Sequence, residues 1–301
     1  MAEAVYCGRF APSPSGPLHF GSLLAALASF LDARHHQGYW LLRIEDVDLQ
    51  RTRPGAADTI QRQLEHLGLL WDGTTRFQSQ HFPDYQAVLD DLLARQLAYP
   101  CQCTRSQLQS RQALERYDRY CLNQLPLSES ATGAPAYRVK LEGSNLSFSD
   151  PIQGPLPEAT YPLTDPIIRR RDGFYAYQLA VVVDDQAQGI THVVRGADLW
   201  SQTPQQHALQ QLLNYTQPNY AHIPLVLDHQ GRKLSKQYLS PALEAAQARQ
   251  NLLLGLRLLG QHPEAQLETA SVQEILEWGI QHWDLDKIPK CFSLPYPQES
   301  L

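Results

Sequence analysis

The chain has 301 residues, of which 43% are hydrophobic and 19% are charged, and this is enough apolar material for one large or two modest globular units. The composition excludes collagen, coiled-coil and intrinsically disordered proteins, and the absence of a transmembrane-length apolar run and of a signal peptide predicts a cytoplasmic protein with no membrane partner. The net charge of −6, from 25 Lys+Arg and 31 Asp+Glu, by itself argues against a nucleic-acid partner.

The first 98 residues have the pattern of an α/β unit. The predicted elements, in chain order, are a strand (5–10), a Pro/Gly-rich loop (11–21), a helix (22–37), a second strand (39–44) and two further helices (54–68 and 83–97). A strand, a loop, a helix and a strand within about 40 residues form a βαβ unit, which implies a parallel sheet.

After residue 98 the composition changes, because a cysteine cluster, several prolines and several glycines interrupt the helical pattern. The elements predicted beyond this region are a buried strand at Ala180–Val183 that ends at Asp184-Asp185, a strand at His192–Arg195, a helix at Thr203–Asn214, a strand at Ile223–Leu227 and helices within 241–287. We therefore expect an α/β fold in four segments: the first half of a parallel-sheet domain (1–98), an α+β insertion (99–160), the second half of the domain (161–240) and a short helical C-terminal region (241–301).

The loop before the first helix has the features of a phosphate site. It delivers His19 and Gly21 to the helix N-terminus, where free backbone N–H groups and the positive end of the helix dipole favour phosphate. Gly21 would let a nucleotide approach the backbone, and His19 can donate a hydrogen bond to phosphate. The alternative is a Pro-rich turn in which Ser22 caps the helix and His19 lies on the surface.

A second loop, Gly231–Lys236, follows the predicted strand at 223–227. Its Lys233 and Lys236 could place ammonium groups on a triphosphate and neutralise charge that develops in a transition state. Taken alone, such a sequence is more often an ordinary solvated basic loop.

Together, the two loops resemble the HIGH and KMSKS signatures of class I aminoacyl-tRNA synthetases. The sequence keeps the first His and the Gly of HIGH but has Ser22 for the second His, and it has Leu234 and Gln237 where KMSKS has Met and the final Ser. The resemblance implies a Rossmann-like catalytic domain that binds ATP with Mg²⁺. It implies catalytic roles for His19, Gly21, Lys233 and Lys236, and ATP contacts from His19, Gly21, Ser22, Lys233, Ser235 and Lys236.

Four further segments, at residues 8–14, 42–48, 177–185 and 191–198, resemble glutamyl-tRNA synthetases. The glutamate-binding residues that this resemblance implies are Arg9, Phe10, Ala11, Pro12, Ser13, Glu45, Tyr177 and Arg195. Among them, Arg9 would pair with a substrate carboxylate and Glu45 would receive the α-ammonium group. The chemistry agrees, because two arginines and one glutamate balance the two carboxylates and one ammonium of glutamate in a low-dielectric pocket. For either arginine alone, a structural ion pair is the alternative.

Three of the five cysteines lie close together, at Cys101, Cys103 and Cys121, which suits a metal better than a disulfide framework. Zinc takes four ligands, and Tyr117, four residues before Cys121, would face the same side of a helix. We therefore expect one structural zinc per chain, held by Cys101, Cys103, Tyr117 and Cys121. Tyr120 or water as the fourth ligand, or three unliganded thiols, are the alternatives. Four neighbouring arginines could then meet an RNA backbone: Arg105, Arg111, Arg116 and Arg119.

Residues 237–301 are too few and too acidic for the helical anticodon-binding region that follows the lysine loop in full glutamyl-tRNA synthetases, so we expect no such domain. With its Cys-x-Cys…Tyr-x3-Cys insertion, the chain resembles the truncated glutamyl-Q tRNA(Asp) synthetases. This implies activation of L-glutamate with ATP in the absence of tRNA, and transfer of the glutamyl group to queuosine at the wobble position of tRNA-Asp; we also expect a monomer. The alternatives are a minimal synthetase that charges the 3′ end of tRNA-Glu, a carboxylate-activating nucleotidyltransferase without an RNA substrate, and an inactive zinc-stabilised RNA-binding protein.

Overall fold

The computed structural model describes residues 5–114, 116–124, 133–141, 148–156, 164–232, 234 and 243–297. The helices within these ranges are α1 (Phe20–His35), α2 (Ala56–His66), α3 (Phe82–Ala94), α4 (Arg105–Ser110), α5 (Tyr120–Asn123), α6 (Tyr177–Ala187), α7 (Thr203–Leu212), α8 (Ala248–Leu258) and α9 (Val272–His282). The strands are β1 (Cys7–Phe10), β2 (Tyr39–Ile44), β3 (Arg76–Phe77), β4 (Ala98–Cys101), β5 (Ala136–Val139), β6 (Ser149–Asp150), β7 (Gly154–Pro155), β8 (Ile167–Arg169), β9 (His192–Gly196), β10 (Asn219–Ile223), β11 (Leu225–Leu227) and β12 (Ser293–Pro295). Across the described ranges, none of the helices has both the length and the apolar character needed to span a membrane.

Two parallel ladders form the sheet that carries the candidate site. β1, β2 and β3 pair in that order, and β9 pairs with β10, all in parallel. The ladders meet at β1 and β9, where Thr191 N donates a hydrogen bond to Cys7 O at 2.9 Å. The predicted βαβ unit is confirmed, since α1 forms the crossover between the parallel strands β1 and β2. The C-terminal ends of these strands therefore share one edge of the sheet.

Helix α1 is buried on almost every side, with Leu23, Leu27 and Leu31 fully inaccessible to solvent. It packs on β1 and β9 and, with other residues, on α8 and α9. Two glycines permit a close approach: a Cβ at Gly255 would lie 2.9 Å from Leu27 Cδ2, and a Cβ at Gly279 would lie 3.0 Å from Leu31 Cδ2. The C-terminal helices therefore complete the core around α1.

One predicted strand is wrong and another is divided. Residues Ala180–Val183, predicted as a buried strand, lie inside α6, where Leu179 to Asp185 are all buried. A short continuous apolar run fits a buried helix as well as a buried strand, so the pattern does not distinguish them. The predicted strand at 223–227 is interrupted at Pro224, which has no N–H to donate to a ladder, and its residues are shared between β10 and β11.

The cysteine-containing segment has an antiparallel sheet of its own, in the order β4-β5-β8. Because β8 lies at Ile167–Arg169, this sheet continues beyond residue 160, the predicted end of the insertion. Next to the sheet is a small buried cluster formed by Tyr99, Cys101, Tyr117 and Cys121.

The hairpin of β6 and β7 packs against the parallel sheet. Phe148, which precedes β6, is buried with Val193 of β9 and Tyr220 of β10. Gln153 Nε2, in the hairpin turn, donates a hydrogen bond to His222 O of β10 at 2.9 Å. The hairpin thereby brings the carboxylate of its strand β6 to the side of β10.

Candidate active site

A cleft of about 1040 Å³ opens at the edge where β1, β2, β9 and β10 end, which is the usual position of ligand sites in parallel α/β sheets. It is lined by every described residue of the predicted ATP and glutamate sites: Arg9, Phe10, Ala11, Pro12, Ser13, His19, Gly21, Ser22, Glu45, Tyr177 and Arg195. From the lysine loop, Leu234 lines the cleft. The other predicted residues of that loop lie outside the described residues: Lys233, Ser235, Lys236 and Gln237.

His19 caps α1 at the mouth of this cleft. Its Nδ1 accepts a hydrogen bond from Ser22 N at 3.2 Å, and Ser22 Oγ lies 3.1 Å from Nε2. The cap is therefore His19 rather than Ser22, the residue of the alternative interpretation. Gly21 faces the lysine loop, because a Cβ there would lie 3.0 Å from Leu234 O and 3.2 Å from the His19 ring. Any larger residue would occupy the space between the helix N-terminus and this loop.

A buried charge network supports the glutamate side of the cleft. Arg43, which has no solvent-accessible side-chain surface, places Nη1 2.7 Å from Asp185 Oδ1 and Nη2 3.6 Å from Glu45 Oε1. Arg9 Nε lies 3.5 Å from the same oxygen of Asp185. Burial raises the pKa of Asp185, but Arg43 and Arg9 outweigh it and hold that pKa below its usual range.

Glu45 differs from Asp185, because burial raises its pKa despite the nearby Arg43 and Arg9. A cation bound against Glu45 would favour the ionised carboxylate, since an opposite charge within a few ångströms stabilises the charged form. Glu45 is thus a carboxylate suited to a cationic ligand group.

Arg195 lies near the end of β9, and two of its three guanidinium nitrogens have hydrogen-bond partners. Its Nε donates to His222 Nε2 at 3.0 Å, and its Nη2 donates to Thr203 Oγ1 at 2.9 Å. Nη1 is buried and has no hydrogen-bond partner among the described residues. Tyr177 begins α6, and burial raises the pKa of its hydroxyl, which is therefore neutral. The cleft wall thus offers a guanidinium nitrogen and a phenol for polar contacts with a ligand.

The sequence did not predict several residues that support the site, among them Arg43, Asp150 and His222. Arg43 carries a signal, since it is a lone charge in the otherwise uncharged strand Tyr39–Ile44, although the sequence does not show what it contacts. Asp150 and His222 carry no local signal, because 72 residues separate them and only the fold brings them together.

The predicted metal ligands also converge. The Sγ atoms of Cys101, Cys103 and Cys121 all lie within 4.8 Å of one another. Tyr117 Oη lies 3.4 Å from Cys101 Sγ and 3.7 Å from Cys103 Sγ. Thiolates at about 2.3 Å from a tetrahedral zinc ion are about 3.8 Å apart. The four donor atoms therefore fit a zinc ion of the closed, structural type.

Tyr117 and Tyr120 lie in different surroundings, and the predicted helix shared by Tyr117 and Cys121 is wrong, because α5 begins only at Tyr120. Tyr117 is buried beside the sulfurs, with the Arg138 guanidinium carbon 3.7 Å from its ring centroid. Tyr120 is 47% exposed, and its ring lies under the guanidinium of Arg111 at 4.4 Å. The surroundings favour Tyr117.

Two arginines donate hydrogen bonds to the sulfurs. Arg111 Nη2 lies 3.1 Å from Cys103 Sγ, and Arg138 Nε lies 3.3 Å from Cys101 Sγ. Such donors stabilise thiolates and so offset the negative charge that three sulfurs would bring to a divalent ion.

The arginines expected to meet RNA divide into two groups. Arg111 and Arg119 form ion pairs inside the segment, with Asp118 at 2.6 Å and Asp165 at 2.8 Å. The exposed members of the set are Arg105 and Arg116. The paired arginines therefore stabilise this segment.

The family model for the catalytic domain of class I tRNA synthetases (E and Q) matches residues 7–290. The chain belongs to this family. Its fold is accordingly the class I synthetase catalytic fold with a parallel sheet, as the two signature loops predicted.

Two relatives show to which branch of the family the chain is similar. The chain is 49% identical over 291 residues to a glutamyl-Q tRNA(Asp) synthetase of Pseudomonas aeruginosa (strain LESB58), covering 96% of this chain and 97% of that protein. It is 48% identical over 294 residues to a protein of the same name from Thiobacillus denitrificans, with 96% and 97% covered. These relatives place the chain in the glutamyl-Q tRNA(Asp) synthetase branch that the insertion motif indicated.

A solved structure has the same fold. The crystal structure of a glutamate tRNA ligase from Elizabethkingia meningosepticum, in complex with its amino acid, superposes with a TM-score of 0.80 at 25% identity. The match covers 99% of this chain and 68% of that one. Almost the whole chain thus corresponds to part of a longer synthetase.

Proposed function

We propose that the chain is a ligase that activates L-glutamate with ATP and transfers the glutamyl group to queuosine at the wobble position of tRNA-Asp. The observation that carries the proposal is one cleft lined by Arg9, Arg195 and Glu45 together with the helix N-terminus at His19. The relatives that are 48–49% identical to this chain carry the name glutamyl-Q tRNA(Asp) synthetase, which supports the same substrate pair.

Glutamate recognition follows from charge balance. Arg9 and Arg195 donate to the carboxylates, the latter through Nη1, which has no hydrogen-bond partner in the described part of the chain. Glu45 accepts the α-ammonium group, and the bound cation in turn stabilises the ionised form of Glu45. The other residues of the proposed glutamate pocket are Phe10, Ala11, Pro12, Ser13 and Tyr177.

Activation requires no protein nucleophile. The α-carboxylate of glutamate attacks the α-phosphorus of ATP, the bond from that phosphorus to the bridging oxygen of the β-phosphate breaks, and pyrophosphate leaves while glutamyl-adenylate remains. Mg²⁺ bound with ATP would offset charge on the phosphates. His19 and the N-terminal N–H groups of α1 donate to phosphate oxygens, and Lys233 and Lys236 offset the charge that develops in the transition state. Alignment of the two reactants by the cleft supplies the rest of the acceleration. The remaining ATP contacts in the proposal are Gly21, Ser22 and Ser235.

In the second step, a hydroxyl of the queuosine cyclopentene ring attacks the activated carbonyl and forms an ester. The bond between the acyl carbon and the phosphate oxygen breaks, AMP leaves with its electron pair, and the hydroxyl proton is released. This requires the modified base to be turned out of the anticodon loop and into the cleft, as single-stranded RNA recognition usually requires. The exposed Arg105 and Arg116 are suited to contact the RNA backbone.

Zinc has a structural role in this proposal. Cys101, Cys103, Tyr117 and Cys121 hold it, and it ties a segment whose described residues form a small buried cluster to the end of β4.

The test is transfer of radiolabelled glutamate to two forms of tRNA-Asp, with and without queuosine, and to tRNA-Glu. We expect label on the queuosine-containing form alone, and ATP–pyrophosphate exchange that depends on glutamate but not on tRNA. Label on the 3′ end of tRNA-Glu would instead establish a minimal synthetase. Exchange with other carboxylic acids and no transfer to RNA would establish a different nucleotidyltransferase.

A further inference from the structure

Arg195 is held by its neighbour on the next strand. Arg195 of β9 and His222 of β10 are register partners in the parallel ladder, so their side chains leave the sheet on the same face. Arg195 Nε donates to His222 Nε2 at 3.0 Å. Because a guanidinium can only donate, this ring nitrogen carries no proton, and the proton of the neutral imidazole lies on Nδ1.

The carboxylate of Asp150 fixes this tautomer. His222 Nδ1 donates to Asp150 Oδ2 at 2.6 Å, while Oδ1 accepts from the backbone N–H groups of Ile152 and Gln153 at 2.8 and 2.9 Å. Both side chains are buried. Burial lowers the pKa of His222 to about 4, so the ring is neutral near pH 7.

We propose that Asp150 and His222 are positioning residues that hold the Arg195 guanidinium so that its Nη1 faces the substrate carboxylate. Nε and Nη2 are occupied by His222 and Thr203, and the guanidinium is planar, so fixing two nitrogens fixes the third. That third nitrogen is the buried one with no partner among the described residues, on a residue that lines the cleft. The inference rests on the proposed function in one respect, since it takes Arg195 as a ligand of glutamate.

Asp150, His222 and Arg195 form a hydrogen-bonded relay. Asp150→Asn tests this relay at the end farthest from the substrate. An asparagine must turn its NH₂ group either to the two backbone N–H donors or to His222 Nδ1, and the second arrangement forces the ring proton onto Nε2 against Arg195. Either arrangement leaves a buried donor without an acceptor, which should raise the KM for glutamate about ten- to a hundredfold. The KM for ATP should stay within about twofold of the wild-type value. Both constants are measured by ATP–pyrophosphate exchange on the full chain, with the melting temperature recorded for each variant.

Asp165→Asn is the matched control. Asp165 is an equally buried carboxylate that binds Tyr99, Arg119 and the Leu141 N–H and does not line the cleft. Its loss should lower the melting temperature without changing the KM for glutamate. If the KM for glutamate rises equally in Asp150→Asn and Asp165→Asn, the rise is due to general destabilisation and the proposal is wrong.

Two substitutions of His222 give a second readout. Glutamine can place its amide oxygen near the former Nε2 and accept from Arg195, whereas asparagine reaches only the Nδ1 position beside Asp150. We expect His222→Gln to keep a lower KM for glutamate than His222→Asn. Equal KM values in the two variants, or a wild-type KM in Asp150→Asn, would overturn the proposal.

Arg195→Lys separates failure of the relay from failure of the proposed function. An unchanged KM for glutamate in this variant would remove Arg195 from the glutamate site. A raised KM there, with a wild-type KM in Asp150→Asn, would remove only the relay. In the double variant, Asp150→Asn should add no further increase, because both changes act through one side chain.

Discussion

Gly21→Ala should lower the rate of catalysis without lowering the stability of the protein. Gly21 is the second residue of α1, and alanine is favoured over glycine by about 1 kcal/mol in helix interiors and by less in the first turn. The added Cβ would lie 3.0 Å from Leu234 O and 3.2 Å from the His19 ring, so these neighbours must shift by a few tenths of an ångström. A misplacement of about 1 Å can cost a hundredfold in rate, and this smaller shift should lower glutamate activation about tenfold while the melting temperature stays the same or rises.

Gly279→Ala is the matched control for this prediction. Gly279 also lies in a helix, but its Cβ would meet Leu31 Cδ2 at 3.0 Å and Leu256 Cδ2 at 3.4 Å in the core. Overpacking there should cost about 1–3 kcal/mol of stability and leave the KM for ATP unchanged. The assays are thermal unfolding and ATP–pyrophosphate exchange at varied ATP. A wild-type exchange rate in Gly21→Ala would refute the close approach of the lysine loop. If the melting temperature of Gly21→Ala falls as much as that of Gly279→Ala, the lost rate is due to unfolding.

Three further outcomes are expected. Cys101→Ser should reduce bound zinc from about one per chain to almost none by elemental analysis, and unchanged zinc would contradict the ligand set. Lys236→Ala should lower the rate of activation far more than glutamate affinity, whereas equal losses would exclude a transition-state role. The free energy of unfolding should fall as pH falls from 6.5 to about 4, because the unfolded state protonates His222 at 6.5 and the folded state only near 4. By linkage, this shift in the pKa of His222 corresponds to about 3 kcal/mol of unfolding free energy. If urea unfolding of His222→Gln depends on pH as steeply as that of the wild type, the pH dependence belongs to other groups.

Local patterns predicted the parts of the fold that local interactions determine. The strand at 39–44 has the predicted bounds, and the helix after the Pro/Gly loop begins two residues earlier than predicted, at Phe20. Helix α6 could not be predicted in the same way, because burial on every side removes the polar face that would reveal the helical period.

For the site, the signature loops led to residues that do line one cleft, but their supports were beyond prediction. Arg43 reaches Asp185, Asp150 reaches His222, and each contact joins residues far apart in sequence. The prediction of Tyr117 as a ligand relied on a helix shared with Cys121, but α5 begins only at Tyr120, and it is the fold rather than helical spacing that brings Tyr117 to the sulfurs.

The burial of α1 under the C-terminal helices has a consequence for the order of folding. Trp283 Nε1 donates to Asp32 Oδ1 at 2.9 Å across 251 residues of sequence, and β1 lies beside β9. Contacts of this range form late, because the loop between them must close first. During synthesis, the helix whose N-terminus faces the cleft therefore stays incompletely packed until residues 248–283 have left the ribosome. Nascent chains that lack those residues should expose the apolar face of α1 to chaperones, and competence to bind ATP should appear only after those residues have emerged.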